Sequence, residues 1–160
     1  MELDRIDLKI IEILQRDGRI TNSELSRQIG ISPPPTLERV RKLERNGVIR
    51  RYVALVEPLS VGIETFTFVA VTLTRHGRDA VTAFLEAVEV HPEILECHHI
   101  TGDSDFLLKI AVRNFPAYEH FVLQTLTDLP FIQNLNTMVV LSTTKNETVL
   151  PIIREEPDGS

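Results

Sequence analysis

Cysteine is almost absent: Cys97 is the only one in 160 residues. No intramolecular disulfide can form, so a reducing, cytoplasmic setting is expected. Long apolar runs are missing as well. No stretch approaches the ~20 residues that cross a bilayer, so no membrane partner is expected. The opening MELDRIDLK lacks the basic and apolar blocks of a secretory signal. There is no repeat of solenoid period and no low-complexity tract, and only the ending EEPDGS reads as disordered. Catalytic signatures are missing too. The chain has no glycine-rich phosphate loop, no nucleophile elbow and no HExxH-type ligand spacing, so neither an enzyme nor a cofactor is expected. Cys97-His98-His99 invites a metal reading, but on a strand Cys97 and His99 share a face while His98 points away, so the triplet cannot chelate as a unit. An acid/base cluster of Asp103, Asp105 and His99 has no supporting motif around it.

Positive charge is scarce, and what there is lies at one end. Residues 53–160 hold six Lys/Arg against fifteen Asp/Glu, a net −9, whereas residues 1–52 hold eleven against eight, a net +3. Six cations and a single acid, Glu44, fall between Arg39 and Arg51. This asymmetry points to a small basic head over residues 1–52, a linker over 53–64, a larger acidic body over 65–150 and a tail over 151–160.

In the head, Asp4 is placed to cap a helix whose apolar residues Ile6, Ile10, Ile13 and Leu14 share one face and which ends at Asp17-Gly18. Thr21-Asn-Ser-Glu24 has the form of a capping box, in which Thr21 caps the Glu24 N–H and Glu24 reaches back; Ile20 and Leu25 are the matching staple. The spacing predicts a short helix from Asn22 to Ile29, stopped by Gly30. A third helix follows, headed by Pro33-Pro34-Pro35 with Ser32 as N-cap, its first residue as late as Pro35. Helix, glycine turn, helix is the helix-turn-helix arrangement, whose second helix enters the DNA major groove. On that helix Leu37, Val40 and Leu43 are expected to face inward, while Glu38, Lys42 and Arg45 face outward with Arg39 and Arg41 beside them. Val48 to Tyr52 reads as a strand, adding Arg50 and Arg51 as a wing. The candidate DNA-contacting set is Ser32, Pro34, Thr36, Glu38, Arg39, Arg41, Lys42, Arg45, Arg50 and Arg51. Double-stranded DNA is the expected partner; Arg can pair bidentately with guanine, and Glu38 can accept from cytosine.

The body alternates. Thr65–Thr74 reads as a strand, Val81, Phe84, Leu85 and Val88 as a helix face ended by His91-Pro92, and Ile94–Thr101 and Phe106–Val112 as a hairpin around Gly102-Asp103-Ser104-Asp105. Asn114 caps a second helix with Tyr118, Phe121, Val122, Leu126 and Leu129 inward, and Leu135–Ser142 is the last strand. The order βαββαβ is the ferredoxin-like unit, so the whole chain is α+β: a winged helix-turn-helix domain plus a ferredoxin-like domain. Two helices cover one sheet face only, yet both faces of the first and last strands are apolar, with Phe66, Phe68 and Ala70 opposing Val69, Val71 and Leu73 in the first. A homodimer through the sheet is expected.

LDRIDLKIIEILQRDGRITNSELSRQIGISPPPTLERVRKLERNGVIRRY in the head, with ECHHITGDSDFLLKIAV and FVLQTLTDLPFIQNLNTMVVL in the body, resembles the Lrp/AsnC (feast/famine) family of transcriptional regulators over nearly the whole length. The SPxPxxxRxxxLExxGxI pattern and the GDxD hairpin carry the likeness. It implies a DNA-binding regulator, dimers assembling to tetramers or octamers, and a small-molecule effector, most often an amino acid, bound where dimers meet. On that likeness Thr101, Gly102, Asp103, Ser104 and Asp105 line the effector site, with Met138 and Val139 as its opposite wall. The chemistry suits a zwitterion, whose ammonium needs a carboxylate and whose carboxylate needs backbone N–H groups. The competing reading is an amino-acid-sensing module that does not touch DNA.

Overall fold

The computed structural model describes residues 2–75 and 77–153; the expected disorder of the EEPDGS ending lies outside them. The chain forms two compact units. One comprises the described residues up to Leu55 with those from Lys145 onward, and the other is Val56–Thr144.

The first unit is built on three helices, α1 (Arg5–Arg16), α2 (Asn22–Ile29) and α3 (Pro33–Arg45). Asp4 and Asp7 form a reciprocal capping box at the start of α1. Thr21 accepts from the Glu24 N–H at 3.2 Å, and Gly30 closes α2 in the left-handed conformation at φ 82°. Glu24 does not reach back as a capping box requires. Its carboxylate is held instead by Arg27 at 2.6 Å and Gln28 at 2.8 Å, one turn further on. Ile10, Leu25, Ile29 and Leu43 make the buried centre, with Ile6, Ile13, Leu14, Ile20, Val40 and Ile49 packed around it. The stretch after Lys145 joins this unit through Gln15, whose side-chain amide donates to the Leu150 carbonyl at 3.2 Å and accepts the Leu150 N–H at 2.7 Å.

Two expectations for the head are corrected. Leu37 is exposed and Thr36 takes its inward place, fully buried, so the inner face of α3 runs Thr36, Val40, Leu43. Val48–Tyr52 is not a strand: the N–H groups of Val48 and Ile49 both return to the Leu43 carbonyl, closing α3, and among the described residues no strand lies alongside.

The second unit is a four-stranded antiparallel sheet, β1 (Thr65–Leu73), β2 (Ile94–His99), β3 (Phe106–Val112) and β4 (Ile132–Val139), in the order β2-β3-β1-β4. Helices α4 (Arg78–Glu89) and α5 (Phe115–Gln124) cover one face. Asn114 caps α5 by accepting the Ala117 N–H at 2.9 Å. Val69, Val71, Leu73, Leu108 and Ile110 pack under Phe84, Val88, Tyr118, Phe121, Leu126 and Leu129. Leu85, expected on the inner face of α4, is 41% exposed and does not join this core. β4 starts and ends three residues earlier than expected, because Ile132 already pairs with Leu73 through a bulge; Leu141 lies beyond the strand, almost fully exposed.

Register places Phe66, Phe68 and Ala70 of β1, Leu107, Lys109 and Ala111 of β3, and Met138 of β4 together on the other sheet face. That face is apolar at its centre and polar toward its margins. Asn134 and Asn136 lie at one margin, and Glu96, bonded to Lys109 at 2.8 Å and to His98 at 3.0 Å, lies at the other.

Candidate DNA interface and effector site

The N-terminus of α3 is chemically unusual. Ser32 has the extended backbone of an N-cap, but its side chain caps nothing. A cap accepts from the second or third helical N–H, and here those positions are Pro34 and Pro35, which have none. The first available donor is the Thr36 N–H, which reaches the Ser32 carbonyl at 3.3 Å; the Thr36 hydroxyl donates to the same oxygen at 2.9 Å. Asn22 of α2 donates to the Pro33 carbonyl at 2.8 Å and so ties the two helices of the motif together.

These contacts sort the expected DNA-facing residues. Ser32, Pro34, Glu38, Arg41, Lys42, Arg45, Arg50 and Arg51 are all exposed. Thr36 is not available to a duplex, since it is sealed in the head core with its hydroxyl already bonded. Arg39 is also drawn away from the outer face, its Nη1 donating to Asp4 at 2.6 Å and Asp7 at 2.7 Å. Glu38 is paired across two turns with Arg45 at 2.7 Å, not with Lys42. The Arg45 hydrogen bond, and behind it the charges of Arg45 and Arg41, hold the Glu38 carboxyl below its ordinary range, so it remains an acceptor at neutral pH.

At the other candidate site, Gly102 turns the β2-β3 connection with φ 122°, a backbone that side-chain-bearing residues resist. The Ile100 N–H reaches the Asp105 carbonyl at 2.9 Å, and the Asp105 N–H reaches the Val71 carbonyl at 2.9 Å. The Asp105 carboxylate accepts the Leu73 N–H at 2.8 Å, so it pins the hairpin to the end of β1. Asp103 is exposed. Its backbone carbonyl and the Ser104 hydroxyl each lie 3.5 Å from the Thr72 hydroxyl. Thr101 and Gly102 are exposed as well.

Met138 and Val139 are not part of this cluster within one chain. They pair with Phe68 and Thr67, whereas the hairpin meets β1 at Val71–Leu73; from Thr72 to Phe68 is four residues, roughly 13 Å along a strand. Two residues near the hairpin carry no sequence motif. Thr72 looks like any strand threonine. Phe131 is the one described residue other than glycine with a positive φ, 63°, and its carbonyl accepts the Thr74 N–H at 2.7 Å just past the end of β1. A strained aromatic backbone there has no signal in the sequence.

Comparison with known proteins bears on both sites. A family model described as the Lrp/AsnC ligand binding domain matches residues 67–150, and one described as a winged helix-turn-helix DNA-binding domain matches residues 3–50. The leucine-responsive regulatory protein of Escherichia coli K12 is 44% identical over 151 residues, 94% of this chain and 92% of that one. Among solved structures, a transcriptional regulator from Neisseria meningitidis in complex with L-Met is 39% identical, with a TM-score of 0.89 over 94% of this chain and 97% of its own. An AsnC-family regulator from Agrobacterium tumefaciens is 33% identical, with a TM-score of 0.88 over 93% and 97%.

Proposed function

The chain belongs to the Lrp/AsnC family of DNA-binding transcriptional regulators, and on that premise we propose that it is an amino-acid-responsive regulator working in the cytoplasm. In this reading α3 enters the major groove, the body dimerises through its open sheet face, and an amino acid binds at the Thr101–Asp105 hairpin where dimers meet in a tetramer or octamer.

The observation that carries the effector assignment is the division between two carboxylates on one hairpin. Asp105 is committed to the Leu73 N–H, while Asp103 is exposed beside the Gly102 turn and can receive an ammonium group. The separation of Met138 and Val139 from that hairpin fits a site shared between chains, with the opposite wall supplied by a second copy. The names of the relatives, one leucine-responsive and one solved with L-Met, favour an amino acid with an apolar side chain. Effector binding would then act by favouring one placement of dimers over another, which resets the spacing of the DNA-reading heads.

The experiment is a thermal-shift screen of the twenty amino acids on the parent chain and on Asp103→Ala, read beside molecular mass in solution. Stabilisation by leucine, methionine or a close analogue that disappears in Asp103→Ala is the expected result. An undiminished shift in Asp103→Ala would place the ligand elsewhere.

A further inference from the structure

We propose that Arg39 is a positioning residue: held by Asp4 and Asp7 at the start of α1, it fixes how α3 is presented to DNA and makes no phosphate contact of its own. The proposal rests on the reading that α3 is the DNA-contacting helix.

All four carboxylate oxygens of the two aspartates are accounted for. Asp4 Oδ1 accepts the N–H groups of Ile6 and Asp7, both at 2.8 Å, and Asp7 Oδ2 accepts the Asp4 N–H at 3.3 Å. The remaining two, Asp4 Oδ2 and Asp7 Oδ1, converge on one nitrogen, Arg39 Nη1. The capping box of α1 and the anchor of α3 are thus one network, joining residues 32 and 35 positions apart in sequence. The Asp7 side chain is only 3% exposed, against 30% for Arg39. Swinging Arg39 out to a phosphate would leave a buried carboxylate without its cation, which is the costly way to break such a pair.

Elsewhere in the head, Asn22 holds the first residue of α3 by one neutral hydrogen bond to the Pro33 carbonyl, and among the described residues no other ion pair joins two helices. Arg16–Glu12, Arg27–Glu24 and Arg45–Glu38 each stay within one helix. Val40 and Leu43 pack α3 inward by apolar contact, which is non-directional. A charge-assisted fork one residue from Val40 is directional. With the helix start held by Asn22, Arg39 sets the angle at which Glu38, Arg41, Lys42 and Arg45 meet the groove. Both partners' ionised forms are favoured by the contact: Arg39 is raised chiefly by the Asp4 and then the Asp7 hydrogen bond, and Asp4 is lowered chiefly by the Asp7 backbone N–H and then by Arg39.

The test uses the full chain and a duplex carrying an operator selected with the parent protein. Affinity is measured over a salt series at a temperature where circular dichroism shows each variant folded. Arg39→Ala is expected to weaken binding about tenfold or more with the slope of log Kd against log salt unchanged. Asp7→Asn removes a negative charge from a DNA-binding head, so charge alone predicts tighter binding; the positioning role predicts weaker binding of similar size. The double variant should be no worse than the worse single one, because both break the same contact. A salt slope shallower by about one in Arg39→Ala, with Asp7→Asn binding at least as tightly as the parent, would make Arg39 a phosphate contact and overturn the proposal. Should Asp7→Asn not fold, Asp4→Asn, at a half-exposed position, carries the same test of sign. Unchanged binding by an Arg41→Ala/Lys42→Ala variant would instead overturn the placement of α3 on DNA, and the proposal with it.

Discussion

The bond from the Leu73 N–H to the Asp105 carboxylate decides what substitutions on the hairpin do. Leu73 is 1% exposed, so Asp105→Ala strands a buried donor and is expected to cost about 1–3 kcal/mol, read as a lower urea midpoint. Asp103→Ala removes an exposed carboxylate and should stay within about 0.5 kcal/mol of the parent. The sequence shows two aspartates in a turn; it does not show which one the neighbouring strand uses, because that depends on how β1 ends against the hairpin. The same limit explains Thr36 and Leu37. By residue type leucine is the core candidate, yet Thr36 stands at i, i+4, i+7 with Val40 and Leu43, and that narrow stripe turns inward while Leu37 lies off it. Asp4 adds a pH dependence. Its pKa is lowered from the ordinary 3.8 on folding, so its contribution is complete above that value and is lost as the pH falls through the lower folded value. Urea unfolding between pH 5 and pH 2 should therefore show a shallower acid loss in Asp4→Asn than in the parent.

At the scale of elements, helix ends were the most legible feature, since caps act over three or four residues. Asp4, Thr21, Gly30 and Asn114 all stand where the sequence puts them. Ser32 is the instructive exception. It occupies an N-cap, but three prolines leave its hydroxyl no donor to accept from, so cap identity there is decoupled from cap energy. Thr21→Ala is expected to cost about 1 kcal/mol, the ordinary loss of a cap, whereas Ser32→Ala should cost less than about 0.5 kcal/mol. Equal losses in denaturant unfolding would contradict this account of the proline-headed helix. Strands were legible where β-branched and aromatic residues run together, as in β1 and β3. The run Val48–Tyr52 has similar composition and forms no strand, because a strand needs a partner as well as a propensity, and composition says nothing about partners.

For the molecule as a whole, the consequential feature is a sheet whose second face carries Phe66, Phe68, Leu107 and Met138, while α4 and α5 of the same unit pack on the opposite face. Apolar alternation on both sides of β1 was readable in the sequence. The polar margins were not, since the bulge between Ile94 and Glu96 sets which β2 side chains join that face. Pairing two such faces would bury the apolar centre and leave the Glu96–Lys109–His98 margin near the rim, where hydrated charge costs little. It would also join two heads, each bringing a net +3 over residues 1–52 to one duplex, so the second head binds at the effective concentration set by the first. Phe68→Glu puts a carboxylate at the centre of the face without disturbing the helix-covered core. Its expected effects are a sedimentation mass falling to that of a single chain, an unchanged far-UV spectrum, and loss of about a hundredfold or more in affinity for a two-half-site operator. Affinity for a single half-site should be unaffected, because the head is intact. If the mass does not fall, the self-association surface lies elsewhere on the chain; if it falls without loss of two-site affinity, the heads do not act as a pair.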